Sequence, residues 1–228
     1  MRIGLCHRCD RRHCHVKISR LGADGSVAVE FLVTMTTEVP AGTPDEEVDA
    51  VRRREAARSH ELAAGGNLLR LWRPPLNPGE WRTLGLFAAD DAEDLEALLA
   101  SMPLRVWRTD EVTPLSPHPN DPDLSGTGDG QEFLIAMTIA APEGTPSGVV
   151  DDTMKREAQR ARELAGHGHL KRLWALRAET SARRTLGLWN AGNAAEMNNI
   201  LESLPLYAWM TLEITPLAAH PNDPGSSP

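Results

Sequence analysis

A chain of 228 residues and 24.9 kDa, 41% hydrophobic and 25% charged, has the balance of a folded globular protein, which excludes bulk disorder and a fibrous fold. It is long enough for one large domain or two of about 100 residues, and no uninterrupted apolar run approaches the roughly 18 residues of a membrane span. With 24 Lys+Arg against 32 Asp+Glu, a net charge of −8, one Tyr and three Phe, it lacks the basic surface and stacking platforms of a general nucleic-acid binder.

In chain order the first segment is an extension, residues 1–28. Within it Arg2, Arg8, Arg11, Arg12, Lys17 and Arg20 face one acid, Asp10, over residues 1–22. All three cysteines lie here, at Cys6, Cys9 and Cys14, beside His13 and His15. The rest of the chain has no cysteine, so the body folds without disulfides, as a reducing cytoplasm allows. A structural zinc needs four ligands, commonly two separated pairs, and only one CxxC pair is present. The segment therefore reads first as a disordered basic extension, with a zinc site at these ligands as the lesser alternative. It has no apolar stretch of the kind a secretory signal carries.

From residue 29 the elements of a folded unit follow. VEFLVTM, 29–35, is a strand by its β-branched and apolar content. A helix spans 45–64, with Thr43 or Asp45 as N-cap and Gly65-Gly66 as its end. LLRLWR (68–73) and RTLGLFA (82–88) are strands separated by the loop PPLNPGEW. A short helix, 92–101, is capped by Asp90 or Asp91 and broken by Pro103, and VWRTDEVTPL (106–115) is the last strand. The order β-α-β-β-α-β is the ferredoxin-like split βαβ pattern, an α+β fold.

The unit then repeats. EFLVTMT (30–36) returns as EFLIAMT (132–138), RTLGLF (82–87) as RTLGLW (184–189), SMPLRVW (101–107) as SLPLYAW (203–209), and HPNDP occurs at 118–122 and 220–224. The offset is 102 residues without a gap, and about 45 of the 93 positions from 30 to 122 are identical in the second copy. This is a tandem duplication of a domain, 29–121 and 132–224, joined by a Gly/Asp/Ser-rich linker at 122–131. One unit leaves a sheet face uncovered, so the two sheets are expected to pack face to face as a built-in dimer.

The first helix carries the candidate chemistry. Positions 48, 51, 55, 59 and 62 share one helical face, which places Glu55 inside the apolar stripe; Glu157 holds the matching place in the second copy. A carboxyl there is either buried, with its pKa raised toward that of a general base, or at the stripe edge and paired with Arg58 or Arg160 three residues on. Arg82 and Arg184 open the third strands and could hold a substrate carboxylate, or lie exposed at a sheet edge. Trp72 and Trp174 could wall a pocket or fill the core. His118 and His220, after the last strands, could serve a neighbouring site or simply form a Pro-flanked turn. No Gly-rich phosphate loop, GxSxG elbow or HExxH is present.

As an ordered set, EFLVTMT, the helix with Glu55, LLRLWR, RTLGLF, SMPL and EVTPL…HP resemble the muconolactone delta-isomerase family, a member of the wider dimeric α/β-barrel group. The likeness covers about 30–122 and again 132–224. It implies a cofactor-free isomerase of aromatic-compound catabolism, which turns muconolactone into 3-oxoadipate enol-lactone by moving a proton between vinylogously related carbons. It also implies a small anionic lactone as substrate, assembly into homo-oligomers, and the family's helix glutamate at Glu55 and Glu157. The sequence departs from the family in its tandem fusion and in the loop PPLNPGEW, with Trp81 its one aromatic residue. It departs again in the second copy, where Arg183 replaces Trp81 and Ala175 replaces Arg73. Those departures keep two other readings open: a non-catalytic binding or assembly protein on the same scaffold, and a cofactorless oxygenase or cyclase of the same barrel group.

Overall fold

The computed structural model describes residues 28–123, 130–177 and 182–225. The cysteine-bearing segment, most of the linker and positions 178–181 lie outside the described residues.

The first repeat runs β1 (Val29–Thr37), α1 (Asp45–Ala64), β2 (Leu68–Arg73), β3 (Arg82–Ala89), α2 (Ala92–Ala100), a 3-10 helix (Pro103–Trp107) and β4 (Arg108–Pro117). The second runs β5 (Gln131–Ile139), α3 (Ser147–Gly166), β6 (Leu170–Leu176), β7 (Arg183–Ala191), α4 (Ala194–Glu202), a 3-10 helix (Tyr207–Trp209) and β8 (Met210–Ala219). The α+β class and the pair of ferredoxin-like units are as the sequence implies. Two local details differ. The N-cap of α1 is Pro44, because the Thr43 hydroxyl turns back to the Pro40 carbonyl at 2.8 Å. Past Pro103 the chain makes a 3-10 turn, so β4 starts at Arg108 rather than at 106. Asp91 caps α2 as expected, accepting from the Glu93 and Asp94 N–H groups.

Each repeat contributes four antiparallel strands, and the sheets join along both edges: β2 to β8 through Trp72↔Ala219 and Arg73↔Ala218, and β4 to β6 through Ser116↔Ala175 and Pro117↔Trp174. The result is a closed eight-stranded barrel in the order β1-β3-β2-β8-β5-β7-β6-β4. Closure removes sheet edges that would otherwise template pairing with other chains. Side-chain alternation then makes two kinds of core. Trp72, Leu84, Leu86 and Leu115 meet Leu134, Trp174, Leu186, Leu188 and Leu217 inside the barrel. The opposite strand faces pack beneath helices, for example Phe31, Val33, Met35, Leu71 and Phe87 with Leu62, Leu95 and Leu99. The face-to-face sheets inferred from the duplication are this barrel interior.

Two pseudo-symmetric ion clusters tie one repeat to the other. Arg70 pairs with Glu132 at 2.7 Å and with Asp223 at 3.0 Å, both from the second repeat, and Trp72 Nε1 donates to Glu132 at 2.7 Å. Arg172 pairs with Glu30 at 2.7 Å and Asp121 at 3.2 Å from the first repeat, and Trp174 Nε1 donates to Glu30. Each guanidinium also stacks on its own repeat's Trp ring, 4.8 Å from the centroid. No described helix is long and apolar enough to cross a membrane.

Candidate active site

The apolar stripe of α1 places Val51, Glu55, Ser59 and Leu62 against the sheet, and all four are buried. Glu55 is 8% exposed. Its partner is not Arg58, which turns outward to Glu61 and Ser101. Instead one Glu55 oxygen accepts from the Leu104 N–H at 2.8 Å, and the other meets Arg108 Nη1 at 3.1 Å. The first contact follows from the local sequence. Pro103 opens the 3-10 helix without an N–H, so Leu104 supplies an early orphan donor that a buried carboxylate can satisfy. Asp110 holds Arg108 in turn, by Nε–Oδ1 at 2.7 Å and Nη2–Oδ2 at 3.0 Å. Burial pushes the Glu55 carboxyl above its ordinary range; the Leu104 N–H and then Arg108 pull it down, and Asp110 adds to the rise.

Beside Glu55 lies a cavity of about 310 Å³ between α1 and the sheet, within the range of small-molecule pockets. It reaches Met35, Leu71, Met102 and Leu104 on its apolar side, and Thr37, Ser59 and Thr83 on its polar side. Arg52, Arg73 and Arg108 put three guanidinium groups on the lining. Arg52 lies over the Trp81 ring, 4.4 Å from its centroid. The remaining wall comes from the other repeat: His220, Pro221 and Asn222. His220 Nδ1 accepts the Asn222 N–H at 3.1 Å, so its neutral ring carries the proton on Nε2. Burial, with Arg73 nearby, lowers its pKa to about 4 against the opposing pull of Asp223. The turn is anchored where Asp223 accepts from Arg70 and from the Leu71 N–H at 2.9 Å.

Several residues singled out in the sequence lie elsewhere. Alternation explains the strand residues among them, because the cavity is on the helix-facing side of the sheet, while His118 and Glu157 lie at the mirrored positions of the duplication. Trp72 and Trp174 are core residues of the barrel interior and belong to the ion clusters. Arg82 shares its strand face with Leu84 and Leu86, and the cavity takes Thr83 instead. Arg184 occupies the same place on β7, in line with Leu186 and Leu188. His118 is the first repeat's counterpart of His220, at the mirrored position; burial lowers its pKa, with Asp121 and Arg183 pulling in opposite senses. Glu157 accepts from the Leu206 N–H at 3.0 Å, and burial raises its pKa as well, but among the described residues no cation stands against it. Met210 holds the position of Arg108.

Sequence reasoning did not pick out Arg52, Ser59 or Arg108. The signal was present in the differences between the copies, which put Met154, Ala161 and Met210 at those places. Among the described residues no group of three or more His, Cys, Asp or Glu is placed to hold a metal ion.

Comparison with known proteins bears on the family and the fold. The chain is 30% identical over 90 residues to muconolactone delta-isomerase 1 of Acinetobacter lwoffii, covering 40% of this chain and 91% of that protein. It is 29% identical over 90 residues to the muconolactone delta-isomerase of Cupriavidus pinatubonensis, covering 40% of this chain and 95% of that protein. Among solved structures, a chlorite dismutase from Candidatus Nitrospira defluvii superposes with TM-score 0.56 at 10% identity, covering 83% of this chain and 91% of that one. A heme-binding protein from Thermus thermophilus gives TM-score 0.54 at 11% identity, over 83% of this chain and 90% of that one. At such identity these two share the fold alone. The model of the muconolactone delta-isomerase family matches twice, over residues 29–121 and 131–223, so the chain belongs to that family as a tandem pair of its units.

Proposed function

We propose that the cavity of the first repeat isomerises a small anionic unsaturated lactone, muconolactone or a close analogue, with Glu55 as the proton carrier. The observation that supports this reading is a buried carboxyl lining a cavity that also holds three arginines. Glu55 as carboxylate takes the proton from the ring carbon that bears the side chain, and electrons spread through the C=C bond onto the lactone carbonyl oxygen. The same carboxyl returns the proton at the carbon next to the carbonyl, so the double bond shifts and atoms balance with no redox partner. A raised pKa suits both halves, since the group must accept and then release one proton near neutrality.

Arg52 and Arg73 at the cavity wall are the groups for the substrate carboxylate, by bidentate charge-assisted hydrogen bonds. Arg108, held by Asp110, keeps Glu55 oriented and limits the rise of its pKa. The walls of Met35, Leu71, Met102 and Leu104 exclude water from the dienolate. Family membership and the isomerase names of the relatives support the same reaction class. The test is proton NMR of muconolactone in D2O with the protein. Enol-lactone is the expected product, carrying deuterium next to the carbonyl only in those turnovers where the Glu55 carboxyl exchanges with solvent before it returns the proton, and turnover no faster than buffer would overturn the assignment.

A further inference from the structure

We propose that each chain carries one working centre, seated in the first repeat and completed by His220, Pro221 and Asn222 of the second, with His220 donating a hydrogen bond to the lactone carbonyl. The inference deepens the reading of the same cavity as an isomerase site and rests on it.

The two repeats have diverged where the chemistry sits. Arg52, Ser59, Arg73, Arg108 and Asp110 correspond to Met154, Ala161, Ala175, Met210 and Leu212, so the second copy has lost all three cavity arginines and the acid that holds one of them. It gains one cation, Arg183, at the place of Trp81, and Arg183 Nη1 lies 3.7 Å from Met154 Sδ, where the first repeat stacks Arg52 on Trp81. What survives is Glu157, and its survival has a separate cause. Pro205 leaves Leu206 with the early N–H of the SLPL turn, and Glu157 accepts it at 3.0 Å. The glutamate is thus retained as a structural cap, so its presence in both copies does not mark two active sites.

The second repeat nevertheless keeps a task. Its HPND turn is pinned by the Asp223 contacts to Arg70 and Leu71, which brings His220 to the cavity wall. With Nδ1 accepting from Asn222, the ring presents Nε2–H. Its pKa of about 4 keeps it neutral through the working range. A neutral imidazole facing a carbonyl whose oxygen becomes negative is an effective donor, since no charge must be desolvated beforehand. Duplication followed by loss of one site keeps this wall while freeing the second helix layer from catalysis.

The test combines calorimetric titration with muconolactone and turnover by proton NMR. One site per chain is expected in the wild type and in Glu157→Gln, and none in the Arg52→Ala, Arg73→Ala double variant. His220→Ala should lower kcat roughly 100-fold, the scale of a lost oxyanion donor, with an unchanged melting temperature and partial rescue by His220→Gln. Two sites per chain, loss of turnover in Glu157→Gln, or unaltered kcat in His220→Ala would overturn the proposal. One-site binding without isomerisation would overturn the reaction while leaving the single assembled site standing; no binding at all would overturn both.

Discussion

Glu55 and Arg108 meet at 3.1 Å, and the positions 102 residues further on hold Glu157 and Met210. The same buried acid therefore sits in two electrostatic settings on one chain, with a cation beside it in the first repeat and none among the described residues of the second. Arg108 favours the Glu55 carboxylate, while burial and Asp110 disfavour it. Arg108→Met should accordingly raise the Glu55 pKa. Because the base works deprotonated, the acid limb of the kcat/KM profile should move to higher pH and turnover at pH 7 should fall. A profile with an unmoved acid limb would separate Arg108 from the proton-transfer group.

The cavity arginines give a prediction about binding. Arg52→Ala and Arg73→Ala should each raise KM about tenfold with smaller effects on kcat, as loss of a contact made equally in ground and transition states requires. Arg82→Ala should leave both parameters nearly unchanged, since its strand face is turned from the cavity. Steady-state kinetics at fixed ionic strength reads the difference.

The paired ion clusters govern stability. Arg70→Ala leaves Glu132 and Asp223 without their guanidinium partner, and such a change costs about 3–5 kcal/mol. The Arg172→Ala loss should be smaller, because Arg172 and Glu30 are 16% and 22% exposed against 9% and 10% for Arg70 and Glu132. Urea unfolding of the two variants measures both values. Arg70→Ala should also weaken substrate binding modestly, because Asp223 then holds the His220 turn through the Leu71 N–H without the guanidinium.

Acid sensitivity follows from the two histidines. His220 has a folded pKa of about 4 and His118 is lowered as well. Protons then bind the unfolded chain more readily, so the stability these residues contribute is complete above the unfolded value, near 6.5. It is lost as pH falls from there through the folded pKa. Around the His220 ring, Arg73 opposes protonation and Asp223 favours it. His220→Gln should flatten the decline in melting temperature between pH 6.5 and about 4.

Much of the scaffold is legible in the residues. The exact 102-residue offset sets the domain plan, the alternation in EFLVTMT and RTLGLF sets the strands, and the α1 stripe places Glu55 inward. The ends of the elements depend on local contests, such as the Thr43 hydroxyl choosing the Pro40 carbonyl over the helix terminus. The cavity is less legible, because its lining joins residues from α1, four strands, the 3-10 turn and the opposite repeat. Arg70 and Trp72 do share one strand face, but a strand in a closed barrel has a helix side and an interior side. Only tertiary packing decides that Leu71 and Arg73 face the cavity. The loss of Arg108 in the second copy is visible as Met210, yet nothing in the sequence links that position to Glu55.

Glu55→Gln bears on stability and chemistry in opposite senses. Held above its unfolded value, the Glu55 carboxyl costs stability as pH rises through the carboxylate range. The Gln variant should therefore unfold no earlier than wild type at pH 7, with the difference closing below about pH 4, where the unfolded group is also protonated.

The most direct measurement is the rate of muconolactone isomerisation and deuterium uptake in D2O for the wild type and Glu55→Gln, side by side at pH 7. A fall of roughly 1,000-fold in the variant, within the span of general acid–base catalysis, with an intact melting transition is the predicted result. Comparable rates in the two proteins would contradict the account.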